Sequence, residues 1–206
     1  RPFVARALGR IATPRALHYL GRLLSEGPEL DRRWASAALE AVPTEAKLDV
    51  LLSLLEVSSE EARRYAARAL GKSRNEKVVV PLMQAFRAGG AALRVEVLKT
   101  FEWVGHPAAL SLAPEALRDP SPEVVAQAVQ LLRNIPRPAN LSRVCGVASH
   151  ASPEVRRKVC WALGRLRGRR GERLLAGILR REGEPRVRLQ AARSLGAYAS
   201  ASAAPA

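Results

Sequence analysis

Residues 153–164, Pro-Glu-Val-Arg-Arg-Lys-Val-Cys-Trp-Ala-Leu-Gly, carry the pattern that decides the fold. Proline in the first turn of a helix gives up no hydrogen bond, so Pro153 opens a helix, with Ser152 placed before it to cap. Val159, Cys160, Leu163 and Leu166 then fall on one apolar face. The closing Ala162-Leu163-Gly164 recurs in related form as Ala7-Leu8-Gly9, Ala38-Leu39, Ala69-Leu70-Gly71, Thr100-Phe101, Leu131-Leu132 and Ser194-Leu195-Gly196. Leu8, Leu39, Leu70, Phe101, Leu132 and Leu163 follow one another at intervals of 31 residues, and Leu195 comes after 32. A fixed interval of this length marks tandem units that bury their apolar faces against one another.

Each interval holds two helical patterns. Counting from this signature leucine, a first helix (A) begins about six residues later, where Pro14, Pro107 and Pro138 sit at an N1-like position. Its apolar stripe reads Leu17, Leu20, Leu23, Leu24, then Leu48, Leu51, Leu54, Leu55, then Val79, Leu82, Ala85, Phe86, which is one helical face. A second helix (B) starts ten residues before the next signature residue, at Pro122, Pro153 and Pro185, with Ser121 and Ser152 as caps. The reading is an all-α, right-handed α-solenoid of about six helix pairs after a leading half-repeat. It spans residues 1–199 as one domain, with B helices near 2–11, 30–42, 60–71, 91–104, 122–134, 153–167 and 185–198. Residues 200–206 read as a flexible Ala/Ser-rich tail.

The 206 residues carry a net charge of +15 and only five lysines. Such charge draws anions, yet arginine-rich composition alone is weak evidence for nucleic acid. No apolar run reaches the roughly 18 residues that a membrane helix needs. Cys145 and Cys160 lack metal spacing and read as reduced, buried thiols, which fits a cytoplasmic location. Met83 is the only methionine and Arg1 opens inside an apolar pattern, so a processed or excised chain is expected, with more solenoid or another domain upstream.

One polar register stands out. Arg1, Arg32, Arg63, Arg94, Arg156 and Arg188 lie seven residues before the signature position, and Val125 alone breaks the series. At about 100° per residue this places them some 20° from the core direction, in the first turn of helix B. A guanidinium there needs partners, so the series is expected to be structural, reaching inter-helix carbonyls or acids such as Glu26 and Asp119.

The interval, the paired helices, the Pro153-Glu154-Val155-Arg156 opening and the Ala-Leu-Gly close resemble the HEAT-like repeats of the phycobilin lyase family. The resemblance covers the chain up to its Ala/Ser-rich end. It implies a right-handed solenoid with B helices lining a concave face. The aspartate that this family places before helix B is matched at Asp119. Function is not implied, because such repeats serve lyases, DNA repair enzymes and adaptors alike.

Opposite the core stripe of helix B, positions minus five, minus two and plus two lie within about 60° of one another. They collect Trp34, Tyr65, Arg68, Lys72, Glu96, Lys99, Trp103, Lys158, Trp161, Arg165 and Arg193, including all three tryptophans. Exposed aromatics among cations are what protein-binding hot spots are made of. Sideways packing of the rings between B helices is the competing reading. Trp34, Tyr65, Trp103 and Trp161 are the expected anchors, with the lysines and arginines steering a protein partner of acidic or phosphorylated character. Nucleic acid is the alternative ligand for the same residues, and a bilin lyase subunit is a third reading. The run Arg165, Arg167, Arg169, Arg170, Arg173, Arg180, Arg181 reads as a solvated turn. His18, His106 and His150 are isolated, so neither a metal nor another cofactor is expected, and no catalytic constellation is found. Glu96 resembles the acid flanked by tryptophans in HEAT-like alkylpurine DNA glycosylases, but this chain lacks their irregular repeats and no role is carried over.

Overall fold

A computed structural model describes residues 2–73, 75–104, 108–135 and 137–202. Among them the chain is all-α, without strands. A leading helix, α1 (Pro2–Ile11), is followed by six A/B pairs. These are α2 (Pro14–Glu26) with α3 (Glu29–Glu40), α4 (Leu48–Leu54) with α5 (Glu60–Leu70), and α6 (Val79–Ala88) with α7 (Ala91–Val104). The later pairs are α8 (Ala108–Ala116) with α9 (Pro122–Asn134), α10 (Pro138–Cys145) with α11 (Pro153–Leu166), and α12 (Arg169–Arg181) with α13 (Pro185–Ser202). A short 3-10 turn, Glu45–Lys47, leads into α4, and Glu76–Val78 leads into α6. The chain divides into two compact units, Arg1–His106 and Pro107–Ala206.

Helix starts follow from their first residues. Pro14, Pro122, Pro138 and Pro153 stand in the first turn. Thr13 and Ser59 cap properly, accepting from the amides of Ala16 and Ala62. The two serines expected to cap do not. Ser152 makes no side-chain cap bond, and Ser121 Oγ instead donates to Glu123 Oε2 at 2.6 Å. Pro107 lies outside the described residues. Helix α13 runs through Ser202, past the expected start of a flexible tail at 200; the alanines and serines there carry it on because none of them stops a helix as proline would.

Signature residues Leu39, Leu70, Phe101, Leu132 and Leu163 are buried, while Leu8 and Leu195, at the two ends of the series, are half-buried. An interior repeat has a neighbour on both sides, and burying one such leucine is worth about 1.5–3 kcal/mol. Close stacking explains the Ala-Leu-Gly pattern itself. A Cβ on Gly9 would lie 2.8 Å from the Ala38 carbonyl oxygen, on Gly71 2.7 Å from Thr100 Cγ2, and on Gly164 2.9 Å from Ser194 Oγ. In each case the glycine after one signature residue faces the small residue just before the next. Gly196, after the last of the series, meets nothing within 4 Å.

The arginine register is satisfied largely through backbone. Arg32 donates to the Gly27 carbonyl (3.4 Å), Arg94 to Gly89 (3.1 Å), Arg156 to His150 and Ala151 (2.9 and 2.8 Å), and Arg188 to Glu182 and Gly183 (2.7 and 2.9 Å). Each guanidinium ties its own helix to the turn that precedes it. Two acids beyond those expected take part. Arg32 Nε pairs with Glu61 at 3.0 Å, and Arg156 forms a two-pronged pair with Glu182 at 2.7 and 2.8 Å. Both acids belong to the following repeat. Glu26, one of the expected acids, pairs with Arg22 within its own helix, and Asp119 accepts the Ser121 amide among its contacts. Arg1 lies outside the described residues, and Arg63 Nε has no hydrogen-bond partner among them.

A second capping device closes the B helices. Lys47 Nζ donates to the Leu39 carbonyl, Asn140 Nδ2 to Leu132 (3.3 Å) and Ile135 (2.6 Å), and Tyr198 Oη to Leu163 (3.0 Å). Lys47 and Asn140 occupy the same position, eight residues after Leu39 and Leu132. Terminal carbonyls of a helix have no partner within it, so these side chains supply one.

Candidate functional site

In the first unit, α5 packs on α7, and their outward faces enclose a cleft of about 240 Å³ lined by Arg68, Gly71, Lys72, Glu96, Lys99, Thr100 and Trp103. Helical spacing puts Arg68 and Lys72 one turn apart on α5, and Glu96, Lys99 and Trp103 on one face of α7. Thr100 Oγ1 donates to the Ala67 carbonyl at 3.1 Å and fixes the helices side by side. Trp103 is 83% exposed, the most open large apolar side chain among the described residues. Arg68 leans toward Glu96, with Nε 3.9 Å from its carboxylate. Lys72 and Lys99 are exposed and make no ion pair among the described residues.

A second cleft of about 310 Å³ adjoins the first and shares Arg68 and Lys72; its other lining includes Glu40, Val42, Thr44, Lys47 and Tyr65. Its origin is the residue after Leu39. That residue is Glu40, where Gly9 and Gly71 let the next B helix in, and α5 packs less closely on α3 than on α7. Lys47 is buried, and its amine is held below the ordinary lysine range by burial first and by Lys72 second. Tyr65, expected as an exposed anchor, is not one: it is 4% exposed, because the segment Glu40–Thr44 closes over the outward face of α5. Its hydroxyl has no hydrogen-bond partner among the described residues. Burial pushes the phenol well above its ordinary value, so it stays a neutral donor.

The remaining residues of the expected stripe lie elsewhere. Trp34 is half-buried beside a cleft of about 250 Å³ with Val4, Ala5, Tyr19, Leu23 and Asp31. In the second unit Trp161 is half-buried, with the Arg133 guanidinium 3.6 Å from its ring centre and Lys158 Nζ at 5.0 Å. Lys158 also donates to Gln130 Oε1 at 2.8 Å. This ring therefore follows the competing reading, sideways packing between B helices. Arg165 is exposed, and Arg193 borders a broad groove of about 790 Å³ with Glu154, Arg157, Glu184 and Arg186. The sequence pattern passes over Arg133, because it directly follows Leu132, at the position that holds Gly9, Gly71, Gly164 and Gly196 in other repeats.

Arg165, Arg167, Arg169, Arg170, Arg173, Arg180 and Arg181 are all exposed. His18 is exposed, His150 Nδ1 accepts the Ser152 amide at 3.0 Å, and His106 lies outside the described residues. Cys160 is buried and its thiol is pushed up to about 12 by burial, while Cys145 is half-buried; both are free. Among the described residues no three His, Cys, Asp or Glu side chains are grouped to hold a metal, and no helix is long and apolar enough to cross a membrane.

Comparison with known proteins bears on the fold. No curated protein sequence matches this chain. Among solved structures it is similar to a designed armadillo repeat protein in complex with the peptide (KR)4, at 19% identity and a TM-score of 0.54, covering 94% of this chain and 98% of that one. An engineered protein matches at 18% identity and a TM-score of 0.54, over 95% and 96% of the two chains. Human deoxyhypusine hydroxylase in complex with glycerol matches at 18% identity and a TM-score of 0.52, over 95% and 78%. The same repeat-solenoid fold thus occurs in a peptide-binding protein and in an enzyme. Residues 3–26 match the PBS lyase HEAT-like repeat, and residues 48–133 and 141–206, well over half the sequence, match HEAT repeats. The chain belongs to the HEAT repeat family.

Proposed function

We propose that this protein is a non-catalytic binding scaffold that docks a protein partner of acidic character on the α5–α7 face of its first unit. The observation that carries this reading is Trp103, an indole left open beside Lys72, Lys99 and Arg68. Leaving an indole in water forgoes the stabilisation that burial would bring, and a partner that covers it recovers that stabilisation. Repeat solenoids supply the precedent. The designed armadillo protein holds a basic peptide, whereas cations predominate on this face, so the complementary ligand here is acidic. Free, buried or half-buried thiols suit a partner met in the cytoplasm.

Nucleic acid is the second reading, since an exposed indole among cations also stacks a base while neutralising phosphate. A labelled peptide of alternating aspartate and glutamate and a single-stranded oligonucleotide, each titrated into the full chain across a salt series, separate the two. The acidic peptide is expected to bind. Trp103→Ala combined with Lys99→Glu should weaken it roughly tenfold or more without moving the melting temperature. Tight oligonucleotide binding that collapses steeply with salt, with no peptide binding, would replace this reading by the second.

A further inference from the structure

The cleft beside α3 contains an arrangement that fold stability alone does not explain. Tyr65 carries a buried hydroxyl without a hydrogen-bond partner among the described residues, and leaving such a donor unmade is unfavourable. Phenylalanine would offer the same ring without a buried donor. Lys47 uses its ammonium to cap the Leu39 carbonyl, which occupies one of three N–H donors. Arg68 and Lys72 line the same cleft, and Glu40 is the one acid there. Three cations line the cleft with one carboxylate and an unsatisfied O–H, and only Arg68 among them leans toward an outside acid, Glu96.

We infer that the cleft between α3 and α5 is a binding pocket for a single phosphate group carried on the partner protein, held by Lys47, Tyr65, Arg68 and Lys72. The inference rests on the reading of this ridge as a protein-docking surface and names the group that docks. A phosphate monoester carries a charge of about −1.5 to −2 and three acceptor oxygens, which suits this cluster of cations, and it accepts the stranded hydroxyl once the Glu40–Thr44 segment that covers the ring gives way. A carboxylate has one charge and fewer acceptor sites. Thr44 at the rim adds a further hydroxyl. Glu40 here and Glu96 in the adjoining cleft would repel a continuous phosphate chain, which favours one phosphate on a protein over a nucleic acid backbone. An anion in the pocket also restores the charged state of Lys47 that burial disfavours.

The test uses the full chain and inorganic phosphate, titrated at constant ionic strength while amide resonances of residues 40–47 and 65–72 are followed. Saturable shifts are expected with phosphate, and weaker ones with acetate. Tyr65→Phe keeps the ring, so it should fold with an unchanged or higher melting temperature, and it should weaken phosphate binding roughly tenfold through loss of one charge-assisted hydrogen bond. Lys72→Gln provides a second variant on an exposed side chain and should weaken binding as well. A phosphoserine peptide should then bind more tightly than the same peptide with glutamate. The inference is overturned if phosphate acts no differently from chloride, if acetate binds as tightly, if Tyr65→Phe binds phosphate like the parent, or if an oligonucleotide outcompetes the phosphopeptide. Trp103→Ala is expected to leave inorganic phosphate binding unchanged, so failure of this pocket and failure of the Trp103 docking face are read separately.

Discussion

The two compact units use similar side chains to opposite ends. In the second, polar and aromatic groups satisfy one another: Arg156 grips Glu182 and two carbonyls, Arg133 lies over Trp161, Lys158 holds Gln130, and the Tyr198 hydroxyl reaches the Leu163 carbonyl. In the first, Trp103 is bare, and among the described residues Lys72 and Lys99 make no ion pair and the Tyr65 hydroxyl has no hydrogen-bond partner. Composition alone therefore does not locate a binding face. Under the proposed function, what locates it is the set of groups that the fold leaves without partners, because a partner can improve their energy and can do little for groups already satisfied.

Removing the strongest internal partner should move stability most. Glu182→Ala leaves the Arg156 guanidinium without its two-pronged acid in a mostly buried setting, and urea denaturation should show a loss of about 2 kcal/mol or more. The same acid gives the second unit a pH dependence. Arg156 holds the Glu182 carboxyl at about 2, below its ordinary value of 4.5. A depressed folded-state value means that the stabilisation is complete above about 4.5 and is lost as pH falls toward about 2. Acid titration of the melting curve should show this loss in the parent protein, and Glu182→Gln should abolish most of it. If Glu182→Ala leaves stability unchanged, the second unit is not self-satisfied in the sense described.

Tryptophan replacement sharpens the contrast at intermediate magnitude. Trp161→Ala should cost about 1–3 kcal/mol, combining lost burial with a lost cation–π contact, whereas Trp103→Ala should fall within about 0.5 kcal/mol of the parent. Equal losses at the two sites would mean that the Trp103 ring is structural after all. Glycines give the smallest effects and opposite signs. Gly196→Ala adds a methyl group in open space within a helix and should stabilise by up to about 1 kcal/mol, while Gly71→Ala forces a methyl group against Thr100 and should destabilise by a similar amount or more.

The architecture is legible in the sequence because it is written in a period. Signature residues every 31 positions and prolines at helix starts depend only on local geometry and nearest-neighbour stacking. The arginine register is legible as structural for the same reason, since a charge pointing nearly at the core must be satisfied. Glu61 and Glu182 are not, because they come from the following repeat, and their reach depends on how far one repeat is offset from the next. Trp103, Arg68, Lys72 and Lys99 share a helical face in the sequence and a cleft in the structure. Tyr65 shares that face as well, yet lies beneath Glu40–Thr44. A helical wheel gives the direction of a side chain and says nothing of the loop that crosses over it. Trp161 departs from the expected stripe for a related reason, as the guanidinium above it comes from a neighbouring helix.

The glycine that meets the small residue of the next repeat has a consequence for how such a chain changes length. Excising residues 40–70 would place Gly71 directly after Leu39 and recreate an Ala-Leu-Gly junction, so a whole module can be lost or duplicated with its seams intact. Deletions of other lengths bring mismatched surfaces together. Evolution and engineering alike can therefore lengthen or shorten the solenoid in discrete steps, choosing which surface groups stand side by side.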